Sequence, residues 1–304
     1  REAGAATKTV FDGGLEQRLP LITEAIGRGD KAQLKSLVED LEAPDLADVI
    51  ERLGDADRVQ LVQLLGADFD YDALSELDES TRDQLSEALP NELIAKAVSE
   101  LETDDAAYLI EGMEAEDQKE VLAQIPRSER AAIERNLEYP EETAGRLMQS
   151  DFVAVPPFWS VGQVIDHMRE AQDLPESFSD IFVVDATHHV VGSLDLSRLL
   201  RTKRHVEIRS IMETARQVVL ATADQEEVAR QFERYDLKSA PVVDENQRLV
   251  GVVTVDDVVD VIEQEADEDI RALAGVKPDE ELSDSVWTLA RGRFSWLFIN
   301  LITA

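Results

Sequence analysis

The sequence predicts two folds in series: an all-α domain of stacked helix pairs, then an α/β domain built from one unit used twice and continued by a long helix. Three observations carry this. From Leu15 to Leu137 apolar residues recur at spacings of three and four, as in Leu46, Val49, Ile50 and Leu53, the stripe of a helix facing a core. Within that stretch one segment repeats itself. From Glu138 on, short β-branched runs appear in the order β-α-β-β-α, and the order occurs twice.

Taken in order, residues 1–14 are small, polar and Gly-containing, and are expected to be disordered or tag-derived. The chain begins at Arg1 rather than Met, which suggests trimming. From 15 to 137, breaks at Gly27-Arg28-Gly29, Pro44, Gly54, Gly66, Pro90 and Pro126 divide the periodic stretch into helices of roughly 10 residues joined by short turns. The segment LEAPDLADVIERLGDADRVQLVQLLG from Leu41 aligns with LETDDAAYLIEGMEAEDQKEVLAQIP from Leu101. Leu41, Glu42, Asp45, Ala47, Ile50, Glu51 and Asp57 return as Leu101, Glu102, Asp105, Ala107, Ile110, Glu111 and Asp117. A single helix pair cannot bury its apolar face, so such pairs stack into a superhelix. Acids are expected on the outside of each helix. Beyond Glu138, strands are predicted at Phe152–Val155, Ile181–Val184, Val190–Leu194, Val218–Leu220, Pro241–Val243 and Leu249–Val253. The two units match residue for residue: Met148 with Met212, Val183-Val184-Asp185 with Val242-Val243-Asp244, Gly192 with Gly251.

Composition limits function. Against 30 Lys and Arg stand 65 Asp and Glu, a formal net charge of −35. Such an excess repels nucleic acid and anionic lipid and attracts cations. The charge alone also fits a halophile or a merely soluble acidic chain, so placement has to decide. No cysteine is present, which excludes disulfides, thiolate metal sites and Cys nucleophiles, and four scattered histidines make zinc chemistry a poor fit. The pair His188-His189 reads as a solvated turn. No secretory signal is seen. The last eleven residues, FSWLFINLITA, are nearly all apolar. A membrane helix needs about 20, so this run is either a short buried helix or the start of a truncated span.

The densest chemical signal lies at 256–269, where Asp256, Asp257, Asp260, Glu263, Glu265, Asp267, Glu268 and Asp269 occur with no Lys or Arg among them. On a helix many of these are neighbours, and like charges three or four apart destabilise it by a few tenths of a kcal/mol per pair. Hard cations neutralise such a face. Mg2+ and Ca2+ both take oxygen ligands, and Mg2+ keeps enough water that one or two carboxylates suffice. No EF-hand loop is present. A second cluster, Asp224, Glu226, Glu233 and Asp236, has a structural reading as well: Asp224 suits an N-cap, and acids in a first turn favour the helix dipole.

Two β-α-β-β-α units with the hairpin PVVDENQRLVGVVTVDDVV, in which Gly251-x-x-Thr254-x-x-Asp257 opens a helix, resemble a CBS pair. A CBS pair alone names no function. The helical repeat domain ahead of it, the junction YPEETAGRLM at Tyr139–Met148, and DQEEVARQFERYD followed by VTVDDVVDVIEQEADEDI resemble the MgtE family of magnesium channels over about residues 15–304. The resemblance implies an acidic helical domain at 15–137, CBS repeats at 138–203 and 204–270, a connecting helix at 271–293 that plugs a pore, and the start of a truncated transmembrane helix at 294–304. Arg291 and Arg293 before the apolar run suit the cytoplasmic side of such a helix. It also implies that Asp224, Glu226, Asp236, Asp257, Asp260, Glu265, Glu268 and Asp269 face magnesium, with Glu233 contributing through its backbone and Asp104 from the helical domain. Here the pattern departs: Tyr108 stands where the family has a second acid, and Ser80 or Thr81 near another.

In a CBS pair the competing ligand is an adenine nucleotide such as ATP. Thr254 and Asp257 match the nucleotide signature; in the first repeat Asp195 replaces its Ser/Thr and Arg198 its Asp, leaving Arg198 as a phosphate contact. The implied function is a Mg2+-sensing gate on the cytoplasmic face of the inner membrane. It acts as a homodimer through the CBS pair, with its own transmembrane pore domain as partner: Mg2+ bridges the acids and closes the pore, and low Mg2+ opens it. The alternative is an adenine-nucleotide sensor regulating a transporter. No catalytic constellation appears, so an enzyme is not expected.

Overall fold

The structure is a computed structural model. It describes the backbone of residues 3–171, 174–175, 177–214 and 217–273, and side chains from Gly14 on except 267–269 and 271–273. The expected connecting helix beyond Leu273 and the apolar run 294–304 lie outside the described residues. Among the described residues no helix is long and apolar enough to cross a membrane. The chain forms two compact units. One comprises residues up to Pro140 with Gln149–Asp151; the other comprises Glu141–Met148 and Phe152 onward.

The first unit is all helical: α1 (Ala3–Arg28), α2 (Lys31–Val38), α3 (Ala43–Arg52), α4 (Asp55–Leu65), α5 (Glu79–Ala88), α6 (Asn91–Glu100), α7 (Thr103–Glu111), α8 (Ala115–Gln124) and α9 (Arg127–Leu137), with two 3-10 turns between α4 and α5. The punctuation residues do what their backbones allow. Pro44 sits in the first turn of α3, Gly54 precedes α4, and Pro90 and Pro126 precede α6 and α9. A proline there loses only an N–H that has no helical partner anyway. Gly66 ends α4 at φ 56, a left-handed conformation cheap only for glycine. The backbone is helical from Ala3. Ala3, Ala5 and Ala6 are strong helix formers, and they extend a helix already nucleated by the buried face of Ile22, Ala25 and Ile26.

The internal repeat is structural. Leu46, Ala47, Val49 and Ile50 of α3 are buried, and so are Ala106, Ala107, Leu109 and Ile110 of α7. At equivalent positions one side chain from the following helix caps the preceding one. Arg58 donates to the carbonyls of Ile50 (3.0 Å) and Glu51 (2.8 Å), and Gln118 to those of Ile110 (2.9 Å) and Glu111 (3.0 Å). The last carbonyls of a helix have no internal partner, and a long polar side chain satisfies them here.

The second unit contains two three-stranded sheets of identical design. In the first, β1 (Ala154–Val155) runs parallel to β2 (Asp180–Val184), which pairs antiparallel with β3 (Val190–Asp195). In the second, β4 (Val219–Leu220), β5 (Ser239–Val243) and β6 (Leu249–Thr254) repeat the order and directions. Even the irregularity recurs, between Val183 and Val184 and between Val242 and Val243. The central strands β2 and β5 bury every residue after the first. The helices are α10 (Val161–Glu170), α11 (Leu196–Arg201), α12 (Gln225–Tyr235) and α13 (Val255–Leu273). Phe182, Val184, Leu249 and Val252 form a core that joins the repeats. Segment 142–148 lines the second repeat: Ala144 N donates to Ala223 O (2.8 Å), Gly145 N to Ala221 O (2.7 Å), and Gln225 N to Glu142 O (2.8 Å).

Candidate functional site

The candidate residues of the second unit lie on α12 and α13, which pack together. Asp224 caps α12: its Oδ1 accepts from Glu226 N (3.0 Å) and Glu227 N (3.3 Å). Glu226 pairs with Arg230 one turn on. Glu233 is exposed, and Asp236 ends the helix left-handed at φ 51. Between the two helices the buried Gln225 donates its Nε2 to Glu265 Oε1 (3.0 Å).

Asp257 reaches back to the residue before α13. Its Oδ2 accepts from Thr254 N (3.3 Å) and from Thr254 Oγ1 (2.5 Å). The signature Thr254-x-x-Asp257 is therefore also a helix-start device, in which an N3 acid satisfies a free amide. Partial desolvation pushes the Asp260 carboxyl above its ordinary range, and Glu263 and Asp256 add to this. Among the described residues no Lys or Arg pairs with Asp256, Asp260 or Glu263. Glu268 and Asp269 fall in the last turns of α13, and their side chains lie outside the described residues.

The first repeat's counterpart is filled by the chain itself. Asp195 caps α11 through Ser197 N (2.7 Å) and meets Lys238 Nζ at 3.3 Å; Arg198 Nη1 donates to Glu213 Oε1 at 2.7 Å. A phosphate at Arg198 would have to displace Glu213. Gly192 lies close enough that a Cβ there would stand 2.5 Å from Glu213 O.

In the first unit, Asp104 and Asp105 occupy the first turn of α7. Glu102, just before it, accepts from Gln149 Nε2, and the hydroxyls of Thr103 and Ser150 meet. Burial pushes the Asp105 carboxyl up to about 7, with Glu102, Glu76 and Asp72 adding to it and Ser75 opposing. Sequence reading placed the acids of this unit outside and missed Asp105; the signal available was its place beside the apolar run Ala106-Ala107. Tyr108 stacks under the buried Arg82 guanidinium, 3.4 Å from the ring centroid.

The donors are all oxygen and suit Mg2+ in kind. Among the described residues no three His, Asp or Glu side chains converge to hold a metal. A Mg2+ ion retaining its water and taking one or two carboxylates fits this spread. An ion at Glu226 would have to compete with Arg230, and one at Glu265 with Gln225.

Repeated strand-helix units joined through a common core, with Thr254 and Asp257 at the start of α13, define a CBS pair following a helical repeat domain. Residues 28–142 match the family profile of the MgtE intracellular N domain, and residues 144–205 and 208–264 match the CBS domain. The chain belongs to the MgtE family. It is 41% identical over 179 residues to the magnesium transporter MgtE of Thermus thermophilus, which is 57% of this chain and 39% of that protein. To the magnesium transporter MgtE of Bacillus subtilis it is 34% identical over 186 residues, 60% of this chain and 41% of that protein. The chain thus spans about two fifths of the length of the curated relatives it matches. The crystal structure of the cytosolic domain of the Mg2+ channel MgtE in complex with ATP matches with a TM-score of 0.72 at 33% identity, covering 79% of this chain and 98% of that one.

Proposed function

We propose that the chain is the Mg2+-sensing cytoplasmic gate of a Mg2+ channel or transporter. It lies on the inner face of the membrane, is homodimeric through its CBS pair and has no catalytic role. The observation that carries this reading is the acid run of α13 in a CBS pair of the MgtE family. Asp256, Asp257, Asp260, Glu263 and Glu265 fall within ten residues without one base between them, so the folded state stores repulsion that a divalent cation relieves. Asp104, Asp224, Glu226, Glu233, Asp236, Asp257, Asp260, Glu265, Glu268 and Asp269 supply the oxygen ligands. Mg2+ bridging these acids between the helical domain, the CBS pair and the connecting helix favours a compact closed form. At low Mg2+ the repulsion favours the open one. The ion shifts this equilibrium only by its differential affinity for the two forms.

The test is small-angle X-ray scattering across a Mg2+ titration, with K+ at matched ionic strength as control. Compaction at millimolar Mg2+, weakened in Asp260→Asn and Glu265→Ala, supports the gate. A radius that does not respond to Mg2+ removes it. A second reading is favoured by Thr254, Asp257 and the ATP complex of the solved relative: an adenine-nucleotide sensor in the second-repeat cleft. Calorimetric ATP binding that Thr254→Val abolishes, without Mg2+-driven compaction, supports that reading instead.

A further inference from the structure

The two hairpins of the CBS pair close with the same turn, and the turns bind each other. Asp185 Oδ1 accepts from Thr187 N (2.8 Å) and His189 N (3.0 Å); Asp244 Oδ1 accepts from Asn246 N (2.8 Å) and Arg248 N (2.9 Å). His188 and Gln247 are both left-handed, at φ 65 and 62. The repeat thus sets His189 in one turn where Arg248 stands in the other. These two residues form an antiparallel bridge, beside which Leu249 N donates to His188 O at 2.9 Å. One repeat carries a permanent cation at this position and the other an imidazole, neutral with one ring proton or cationic with two.

We propose that His189 is a proton-operated clasp between the two CBS repeats, complete only when both ring nitrogens carry a proton. The argument is a count of donors and acceptors. The ring Nε2 lies 3.0 Å from the backbone carbonyl of Asn246, which can only accept, so Nε2 must donate across the repeat boundary. Thr187 Oγ1 lies 2.6 Å from Asp185 Oδ1 and 2.6 Å from His189 Nδ1. Thr187 has one hydroxyl proton. Asp185 is held down to about 2 by Thr187 and the His189 amide, so it is an acceptor only. The hydroxyl proton goes to Asp185, and the hydroxyl oxygen accepts from Nδ1.

With the imidazolium all three contacts are made, and the ring lies 3.5 Å from Asp185 Oδ2. A neutral ring protonated at Nε2 keeps the bond to Asn246 but leaves Nδ1 and Asp185 Oδ1 competing for the one hydroxyl proton of Thr187. A neutral ring protonated at Nδ1 sets a bare Nε2 against the Asn246 carbonyl. The charged groups around the ring are Asp185 in its own turn and Asp244, Glu245 and Arg248 in the facing one. The closed clasp binds a proton, so it tightens as pH falls and loosens as pH rises.

The test is amide hydrogen exchange of the whole chain by mass spectrometry at pH 5.5 and 8, corrected for the intrinsic rate. The peptide covering 244–250, which contains the Leu249 amide, is compared with one from α10. Losing one net hydrogen bond predicts roughly fivefold less protection of the turn at pH 8, with α10 unchanged. In His189→Gln, which keeps a donor but cannot titrate, the pH difference disappears. Persistence of the difference in that variant, or its absence in the wild-type chain, overturns the clasp. Nitrogen chemical shifts of the four histidine rings give an independent reading: an unprotonated His189 Nδ1 at pH 5.5, with the turn still protected, also overturns it.

Discussion

Asp105 offers a sharp test of the helical unit. The carboxyl sits in the first turn of α7 and is pushed up from 3.8 to about 7, first by burial, then by Glu102, Glu76 and Asp72. In the unfolded chain it ionises near its ordinary value, so from about pH 4 to pH 7 the unfolded state releases a proton that the folded state retains. Stability is therefore fully present below the ordinary value, is lost as pH rises toward 7, and stays constant above it. At about 1.4 kcal/mol per pH unit the ceiling is roughly 4 kcal/mol. Part of the shift comes from the exposed carboxylates Glu102, Glu76 and Asp72, which solvent screens, and Ser75 opposes it, so about 2 kcal/mol is expected. The perturbation is Asp105→Asn. Urea unfolding followed by far-ultraviolet circular dichroism should show the variant close to wild type at pH 4.5 and about 2 kcal/mol more stable at pH 8, with the increment complete by about pH 7. Comparing the two proteins cancels the general repulsion of a chain carrying −35. An offset that does not change with pH, or a wild-type advantage at pH 8, would refute the reasoning.

Three further outcomes are expected from thermal or urea melts. Gly192→Ala sets a Cβ against the backbone carbonyl of Glu213, which cannot swing away, and should cost the CBS pair about 1–3 kcal/mol. Asp224→Ala strips two amides of α12 of their cap, for a loss of about 1 kcal/mol measured without Mg2+. Arg58→Ala and Gln118→Ala should each destabilise the helical unit by about 1–2 kcal/mol, because the two side chains cap equivalent helix ends.

What the sequence made legible follows from how local each cause is. Helix boundaries fell at Pro44, Gly54, Gly66, Pro90 and Pro126 because a missing N–H or a missing Cβ acts within a turn or two. The strands of the CBS pair were readable because both faces of β2 and β5 are buried and their apolar runs are short and bounded. Features set by distant residues were not readable. The raised pKa of Asp105 depends on burial and on carboxylates from as far back as Asp72. The pairing of Lys238 with Asp195 and of His189 with Asn246 spans 43 and 57 residues. Of the candidate site, the residue types and their helices were legible, but the internal partners of Glu226, Glu265 and Arg198 were not.

Segment 142–148 also bears on how the chain is made. Its amides and carbonyls are matched to Ala221, Ala223 and Gln225 of the second repeat, not to the first repeat that follows it directly. During synthesis this segment leaves the ribosome well before its partners and must wait for the whole first repeat to emerge. The second repeat is therefore complete only with a segment that precedes the first repeat in the chain. A fragment beginning at Phe152 would present the carbonyls of Ala221 and Ala223 without their donors, so any dissection of the chain should begin upstream of Glu141.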